Sequence, residues 1–315
     1  MSSAADVRDL LKRFNLRARK SLGQNFLIDD AALDQIVAAA DLARDDVVLE
    51  IGPGLGTLTR RLAQAAGRVV AVEIDPDLIR ALRDTLAAYP NVAIVQGDIL
   101  RLDPSVLVTQ LPDYPTLHRP DDWTPQLSDY PTTRLRDYKV VANLPYYITS
   151  AAIRHLLEAR QRPSRLIVTV QLEVAQRLIA APGDLSLLAV SVQFYGKPSL
   201  IARVKAGSFY PAPQVDSAVV RIDVYLRPPV EIRDVDRFFA VVKAGFSQKR
   251  KQLRNALQSG LALPAPPVEA ALSQAGIDPK RRAETLTLAE WAALAEALPH
   301  TPRDTLPVAA TPSGA

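Results

Sequence analysis

The stretch from residue 47 to residue 98 constrains this chain more than any other. Three short apolar runs, Val47–Ile51, 68–72 and 92–95, alternate with two segments whose apolar residues recur at helical spacing, 57–66 and 77–88. Leu58, Leu62 and Ala65 share one face of the first segment. Short, continuous apolar runs are the mark of strands buried on both faces. Strand–helix–strand repetition at this rhythm predicts a parallel sheet with right-handed crossovers. Residues 139–142 and Arg165–Gln171 read as further strands, Ser217–Val224 as a last strand, and Leu187–Tyr195 as a helix. The expected fold class is α/β.

The residues at the strand ends narrow the ligand. Gly52-Pro53-Gly54-Leu55-Gly56 joins the first strand to the first helix, a place where missing side chains let a ligand approach the backbone. A dinucleotide fingerprint needs its third glycine at position 57, which is threonine here, so the loop suits a nucleoside ligand without a pyrophosphate. Glu73 ends the second strand, about twenty residues on, where a carboxylate can accept from ribose hydroxyls. Asp98 ends the third and can accept from an adenine amino group, with Ile74 and Ile99 placed to sandwich a flat ring.

A fourth strand end carries Asn143-Leu144-Pro145-Tyr146. Proline holds the preceding residue extended, so the Leu144 carbonyl can be fixed beside the Asn143 side chain. Two fixed acceptors beside an aromatic ring suit an exocyclic amino group on a flat heterocycle, such as the N6 of adenine. Tyr146 and Phe209 are candidates to stack on such a base, which must first be unstacked or flipped.

Past Arg227-Pro228-Pro229 the pattern changes to helical segments without strands, at 235–246, 248–259, 268–275 and 288–298. The reading is a catalytic domain over 1–228, a small all-helical domain over 229–298, and a disordered tail over 299–315. Residues 102–137, rich in proline, read as a flexible insertion. Net charge is only +4, but Lys243, Lys249, Arg250, Lys251 and Arg254 form a run without an acid, a candidate RNA-backbone contact. The chain has no cysteine and only three scattered histidines, so disulfides and thiol–metal sites are excluded and no metal is expected. Charges interrupt the N-terminal region and no apolar run approaches a membrane span, so a cytoplasmic protein is expected. Nothing points to an obligate partner subunit, and a monomer is expected.

Six segments occur in order: Gly23-Gln24-Asn25-Phe26-Leu27, Glu50 to Gly56, Val72-Glu73-Ile74-Asp75, Gly97-Asp98-Ile99, Asn143 to Tyr146, and Phe209 to Ser217. In these the chain resembles the ribosomal RNA adenine N6,N6-dimethyltransferases of the KsgA type, over roughly residues 13–298. The resemblance implies S-adenosylmethionine as cofactor, a Rossmann-like methyltransferase fold and a C-terminal helical domain that helps grip RNA. It places Asn25, Leu27, Gly52, Gly54, Glu73, Ile74, Asp98, Ile99 and Asn143 around the cofactor, and Asn143 to Tyr146 at the reacting nitrogen. The implied substrate is a pair of adjacent adenosines in a hairpin loop near the 3′ end of small-subunit ribosomal RNA. Tyr147 departs from the pattern, standing where the family more often has asparagine. Two alternatives stay open: a large-subunit methyltransferase of the antibiotic-resistance type, and a non-catalytic RNA-binding assembly factor.

Overall fold

The computed structural model describes residues 3–109, 137–248 and 250–299. These residues belong to two compact units. The first takes the chain up to Ile179 together with Tyr195–Leu226; the second takes Ala180–Phe194 and the residues from Arg227 onward.

In chain order the first unit begins with α1 (Ser3–Arg13), β1 (Phe26–Leu27) and α2 (Asp30–Ala40). The expected alternation comes next: β2 (Val47–Ile51), α3 (Thr57–Ala65), β3 (Arg68–Glu73), α4 (Pro76–Thr85) and β4 (Val92–Gln96). Then come α5 (Pro104–Thr109), β5 (Tyr138–Asn143), α6 (Thr149–Leu157), β6 (Arg165–Gln171) and α7 (Leu172–Leu178). After α8 (Leu187–Tyr195) the unit closes with β7 (Gly196–Val204), β8 (Phe209–Tyr210) and β9 (Ser217–Val224).

Seven strands form one sheet in the order β4-β3-β2-β5-β6-β9-β7. The first five are parallel, as expected from their unbroken apolar runs; all five residues of β2 are buried. The far edge departs from the all-parallel expectation, because β9 runs antiparallel to both β6 and β7. Strand β7 is an edge strand with Pro198, a register shift between Leu200 and Ala202, and mostly solvent-facing residues. A sheet edge tolerates proline and needs only one apolar face, which leaves little apolar signal in the sequence.

Helices α2 and α3 pack on one side of the sheet, where Leu33, Ile36, Leu58 and Leu62 meet Val48, Val69, Val141 and Ile167. Asp29 caps α2 by accepting from the Ala32 N–H at 3.1 Å, and Asp75 caps α4 with Pro76 in its first turn. Helix α1 adds Val7 and Leu11 to a second cluster with Phe26, Leu55, Leu78 and Ala81. The reading of 102–137 as one irregular insertion needs correction at its start. Residues 104–109 form α5, with Val106, Leu107 and Val108 buried; residues 110–136 lie outside the described residues.

The second unit contains α8 with α9 (Val235–Gly245), α10 (Leu253–Leu261), α11 (Ala265–Gln274) and α12 (Leu288–Ala297). The unit boundary therefore departs from a break at 228/229. Phe194 of α8 stacks on Phe238 with ring centroids 4.9 Å apart, and Gly183 and Leu185 donate N–H bonds to the Glu284 carbonyl. Trp291 is fully buried beside Phe246, and Arg237, also buried, donates to the Ala295 and Leu298 carbonyls at the end of α12. A capping box between Thr287 and Glu290 starts α12. Helix α10 begins at Leu253, five residues later than the expected 248. Among the described residues no helix is long and apolar enough to cross a membrane.

Candidate active site

The carboxyl ends of β2, β3, β4 and β5 open onto one cleft, contained within the first unit. The chain order reverses between β2 and β5, and open parallel sheets bind ligands at such a switch point. The glycine loop lies there, with φ of +69° at Gly52 and +62° at Gly54, in the left-handed region where a side chain costs about 1–2 kcal/mol. Gly54 is also constrained by space, since a Cβ there would stand 3.0 Å from the Phe26 ring.

Three carboxylates line the cleft: Glu50, Glu73 and Asp98. Glu73 is 4% exposed; Oε1 accepts from the Asp75 N–H at 2.9 Å and Oε2 from the Gly54 N–H at 3.3 Å. Burial raises its pKa, and those two N–H donors oppose the shift. Asp98 is partly open; its Oδ1 accepts from the Leu100 N–H at 3.0 Å and its Oδ2 lies 3.7 Å from Arg101 Nε. Glu50 had no role from sequence, although a charge inside the apolar run of β2 was a visible signal. It is 1% exposed, and its Oε2 has no hydrogen-bond partner. Burial pushes its carboxyl up to about 8, and the nearby Glu73 adds to the shift. The Thr59 hydroxyl opposes that shift, although neither Glu50 Oε2 nor Thr59 Oγ1 has a hydrogen-bond partner of ordinary geometry. No lysine, arginine or histidine lines this cleft among the described residues. Such a wall disfavours a pyrophosphate and suits a ligand that brings positive charge.

Asn143, the last residue of β5, carries the most informative geometry. Its Nδ2 donates to the backbone carbonyl of Asn25 at 3.0 Å. A carbonyl can only face the NH2 side of the amide, so this bond leaves Oδ1 as an acceptor. Asn25 is set in turn by its own Nδ2, which donates to the Gly23 carbonyl at 3.1 Å. The N-terminal motif thus aims the side chain at the end of β5. Leu144 is buried, its N–H donates to Thr169 O at 3.3 Å, and its carbonyl accepts no hydrogen bond among the described residues.

Leu27, Ile74, Ile99, Pro145, Tyr146 and Phe209 all line the same cleft, but not equally. Ile74 is 45% exposed, whereas Leu27, Ile99 and Phe209 are buried. Phe209 pairs with Leu27 across the short β1–β8 ladder and packs against the main core while also lining the cleft. Tyr146 is anchored, its hydroxyl 2.8 Å from Ser217 Oγ. The ring left free at the mouth is Tyr147, 61% exposed and set against Gly23. Arg19 and Gln24 both bond Asp75, tying the N-terminal segment to the loop after β3.

In the second unit, Lys243, Arg250 and Lys251 are exposed, while Arg254 pairs with Glu269 at 2.9 Å; Lys249 lies outside the described residues. The run straddles the turn between α9 and α10 and does not share one helix face.

A seven-stranded sheet of this order, with a glycine loop and strand-end acids around one cleft, defines a Rossmann-like S-adenosylmethionine-dependent methyltransferase. Residues 15–299 match the family model described as ribosomal RNA adenine dimethylase. The ribosomal RNA small subunit methyltransferase A of Dehalococcoides mccartyi (strain CBDB1) is 45% identical over 291 residues, 92% of this chain and 91% of that protein. The protein of the same description from Moorella thermoacetica is 44% identical over 293 residues, 92% of this chain and 96% of its own length. Among solved structures, the 23S rRNA methyltransferase ErmE is 30% identical with a TM-score of 0.63, covering 87% of this chain and 99% of that one. A dimethyladenosine transferase from Plasmodium falciparum shares the fold at 23% identity and a TM-score of 0.64, covering 85% of this chain and 95% of that one. The chain belongs to the ribosomal RNA adenine dimethylase family, enzymes that depend on S-adenosylmethionine.

Proposed function

We propose that this protein dimethylates the N6 of two adjacent adenosines in the 3′-terminal hairpin loop of small-subunit ribosomal RNA, during maturation of the small subunit. The observation that carries the proposal is the Asn143 carboxamide, turned by its bond to the Asn25 carbonyl so that Oδ1 is left to accept beside the Leu144 carbonyl. Those two oxygens accept the two hydrogens of an adenine amino group. They favour a pyramidal nitrogen whose lone pair is directed away from the protein acceptors. Bound S-adenosylmethionine supplies an electrophilic methyl group on a sulfonium. The chain's own part is alignment, because the amino proton can leave to water after transfer and no general base is required.

Around the cofactor, Asn25, Leu27, Gly52 and Gly54 shape the cleft wall, Glu73 holds the ribose hydroxyls, Asp98 the adenine amino group, and Ile74 and Ile99 flank the adenine ring. The target base meets Pro145 and the anchored Tyr146, while exposed Tyr147 stacks on a neighbouring base. Lys243, Lys249, Arg250, Lys251 and Arg254 contact RNA phosphates, with Arg254 the weakest member because Glu269 already holds it. The enzyme acts in the cytoplasm as a monomer without a resident metal.

The large-subunit reading has one observation in its favour, the 30% identity to a 23S rRNA methyltransferase. The 44–45% identity to small-subunit enzymes over nine-tenths of the chain favours the small subunit. Incubating purified protein and labelled S-adenosylmethionine with separated ribosomal subunits decides between them. Label is expected on small-subunit RNA, and label only on large-subunit RNA would defeat the proposal.

A further inference from the structure

Strand β7 ends the sheet on the side away from β4, and no strand lies along its outer edge among the described residues. None of its residues lines the cleft. An open edge nine residues long is a template for another chain, and proteins blunt such edges with proline, bulges and charge. Strand β7 carries all three. Pro198 removes one donor. Ile201 is an extra residue without a partner on β9, between Leu200 opposite Val220 and Ala202 opposite Val219. Lys197, Arg203 and, just past the strand, Lys205 are exposed. Between these cations, however, Leu200 is 37% and Ile201 40% exposed, an aliphatic pair that a purely protective edge does not need. None of the three cations holds an acid among the described residues. Asp223, opposite Lys197 on β9, is taken by Arg165 and Arg221, and Asp216 accepts from the Ala206 N–H.

That charge pattern selects the occupant. A second copy of this chain, paired antiparallel about Leu200, would set Lys197 against Arg203 of that copy; paired about Ile201, it would set Lys197 against Lys205. Like charges directly opposite one another are destabilising, so the edge repels itself. RNA phosphates can answer the cations, but they leave the aliphatic pair in water and offer no donor to the strand carbonyls. We propose that the outer edge of β7 is a docking site for an extended segment of a partner protein, apolar at its centre and acidic on both sides, which adds as a further strand. Its backbone continues the ladder and its apolar side chains cover Leu200 and Ile201. Its carboxylates face Lys197 at one end, and Arg203 and Lys205 at the other. Because this edge lies outside the cleft, a partner held there leaves the cleft free for RNA.

Hydrogen–deuterium exchange and affinity measurements on the full-length protein test this. The probes are two synthetic extended peptides with the same valine-rich centre, one flanked by glutamates and one by lysines, and a short single-stranded RNA. The glutamate peptide should slow amide exchange across Gly196–Val204 and bind at least about tenfold more tightly than the lysine peptide. Lys197→Glu combined with Arg203→Glu should reverse that preference. Leu200→Ser combined with Ile201→Ser should weaken the glutamate peptide about tenfold. Thermal melting checks the fold of both variants, and the wild-type comparison of the two peptides decides the matter even where a variant melts early. Exchange across β7 left unchanged at about 1 mM glutamate peptide would overturn the inference. So would equal binding of the two peptides, protection by RNA alone, or protection that grows with protein concentration in the absence of peptide, the mark of self-pairing.

Discussion

Exchanging Asn143 for aspartate swaps one NH2 for an oxygen at constant shape, and so probes the direction in which this side chain points. In the native site Nδ2 donates to the Asn25 carbonyl at 3.0 Å, leaving Oδ1 to accept. Aspartate keeps an acceptor for the substrate amino group but turns its second oxygen against the Asn25 carbonyl, replacing a hydrogen bond with a repulsion. The carboxylate must rotate or carry a proton, and either change displaces the acceptor. Alanine removes acceptor and tether together. Loss of one preorganised polar group at a reacting centre costs about 100- to 1,000-fold in kcat, or roughly 3–4 kcal/mol. Both variants are therefore expected to fall into that range or lower, with Asn143→Asp no better than Asn143→Ala. Cofactor affinity in Asn143→Ala should stay within about tenfold of wild type, since the lost interaction belongs mainly to the transition state. Single-turnover methylation of small subunits, with separate cofactor titrations, measures both quantities. An Asn143→Asp enzyme with near-native kcat would show that the tether to Asn25 does not set the acceptor, and the orientation argument would fail.

The same structure sets other outcomes. Gly54→Ala should lower stability by about 1–2 kcal/mol, because φ is +62° and the new methyl meets Phe26; an unchanged melting temperature would contradict this. Glu50 has a folded-state pKa of about 8 against an ordinary 4.5, so the folded protein binds the extra proton between those values. Its contribution to stability is present below about pH 4.5 and is lost as pH rises towards 8, at up to about 1.4 kcal/mol per unit. Denaturant melts of the cofactor-free protein should show that decline, and Glu50→Gln should remove most of it. Tyr147→Ala should raise KM for RNA about tenfold with cofactor affinity unchanged, and Tyr147→Phe should restore it; equal KM in all three proteins would remove the ring from the binding surface. Charge reversal at Lys249, Arg250 and Lys251 should weaken RNA binding and flatten its salt dependence, whereas an unchanged salt slope would assign the run to a solvated surface.

The parts of this protein that sequence revealed are those where burial and chemistry act on adjacent residues. Strands β2, β3, β5 and β6 lie inside the sheet, so each reads as a largely apolar run, and Glu73 and Asn143 at the ends of β3 and β5 mark the cleft. Strand β7 was missed because an edge strand with Pro198 and a register shift carries no such run. The β1–β8 ladder, two residues on each side, is too short to leave a period. Asn25 was named through resemblance, yet its contact with Asn143 is made by a backbone carbonyl, which any residue type could supply. Phe209 shows the ambiguity of aromatic residues, which serve cores and bases alike: it packs against the main core and also lines the cleft. The later start of α10 hid within a helical pattern because Arg250 and Lys251 suit an exposed helix as well as they suit a loop.

Mass spectrometry of ribosomal RNA from cells with and without this protein tests the central claim most directly. Two neighbouring N6,N6-dimethyladenosines in the 3′-terminal hairpin of small-subunit RNA should disappear when the gene is removed. They should return with the wild-type protein and fail to return with Asn143→Ala. Dimethylation of that hairpin unchanged in cells lacking the protein, or a loss confined to large-subunit RNA, would contradict the account.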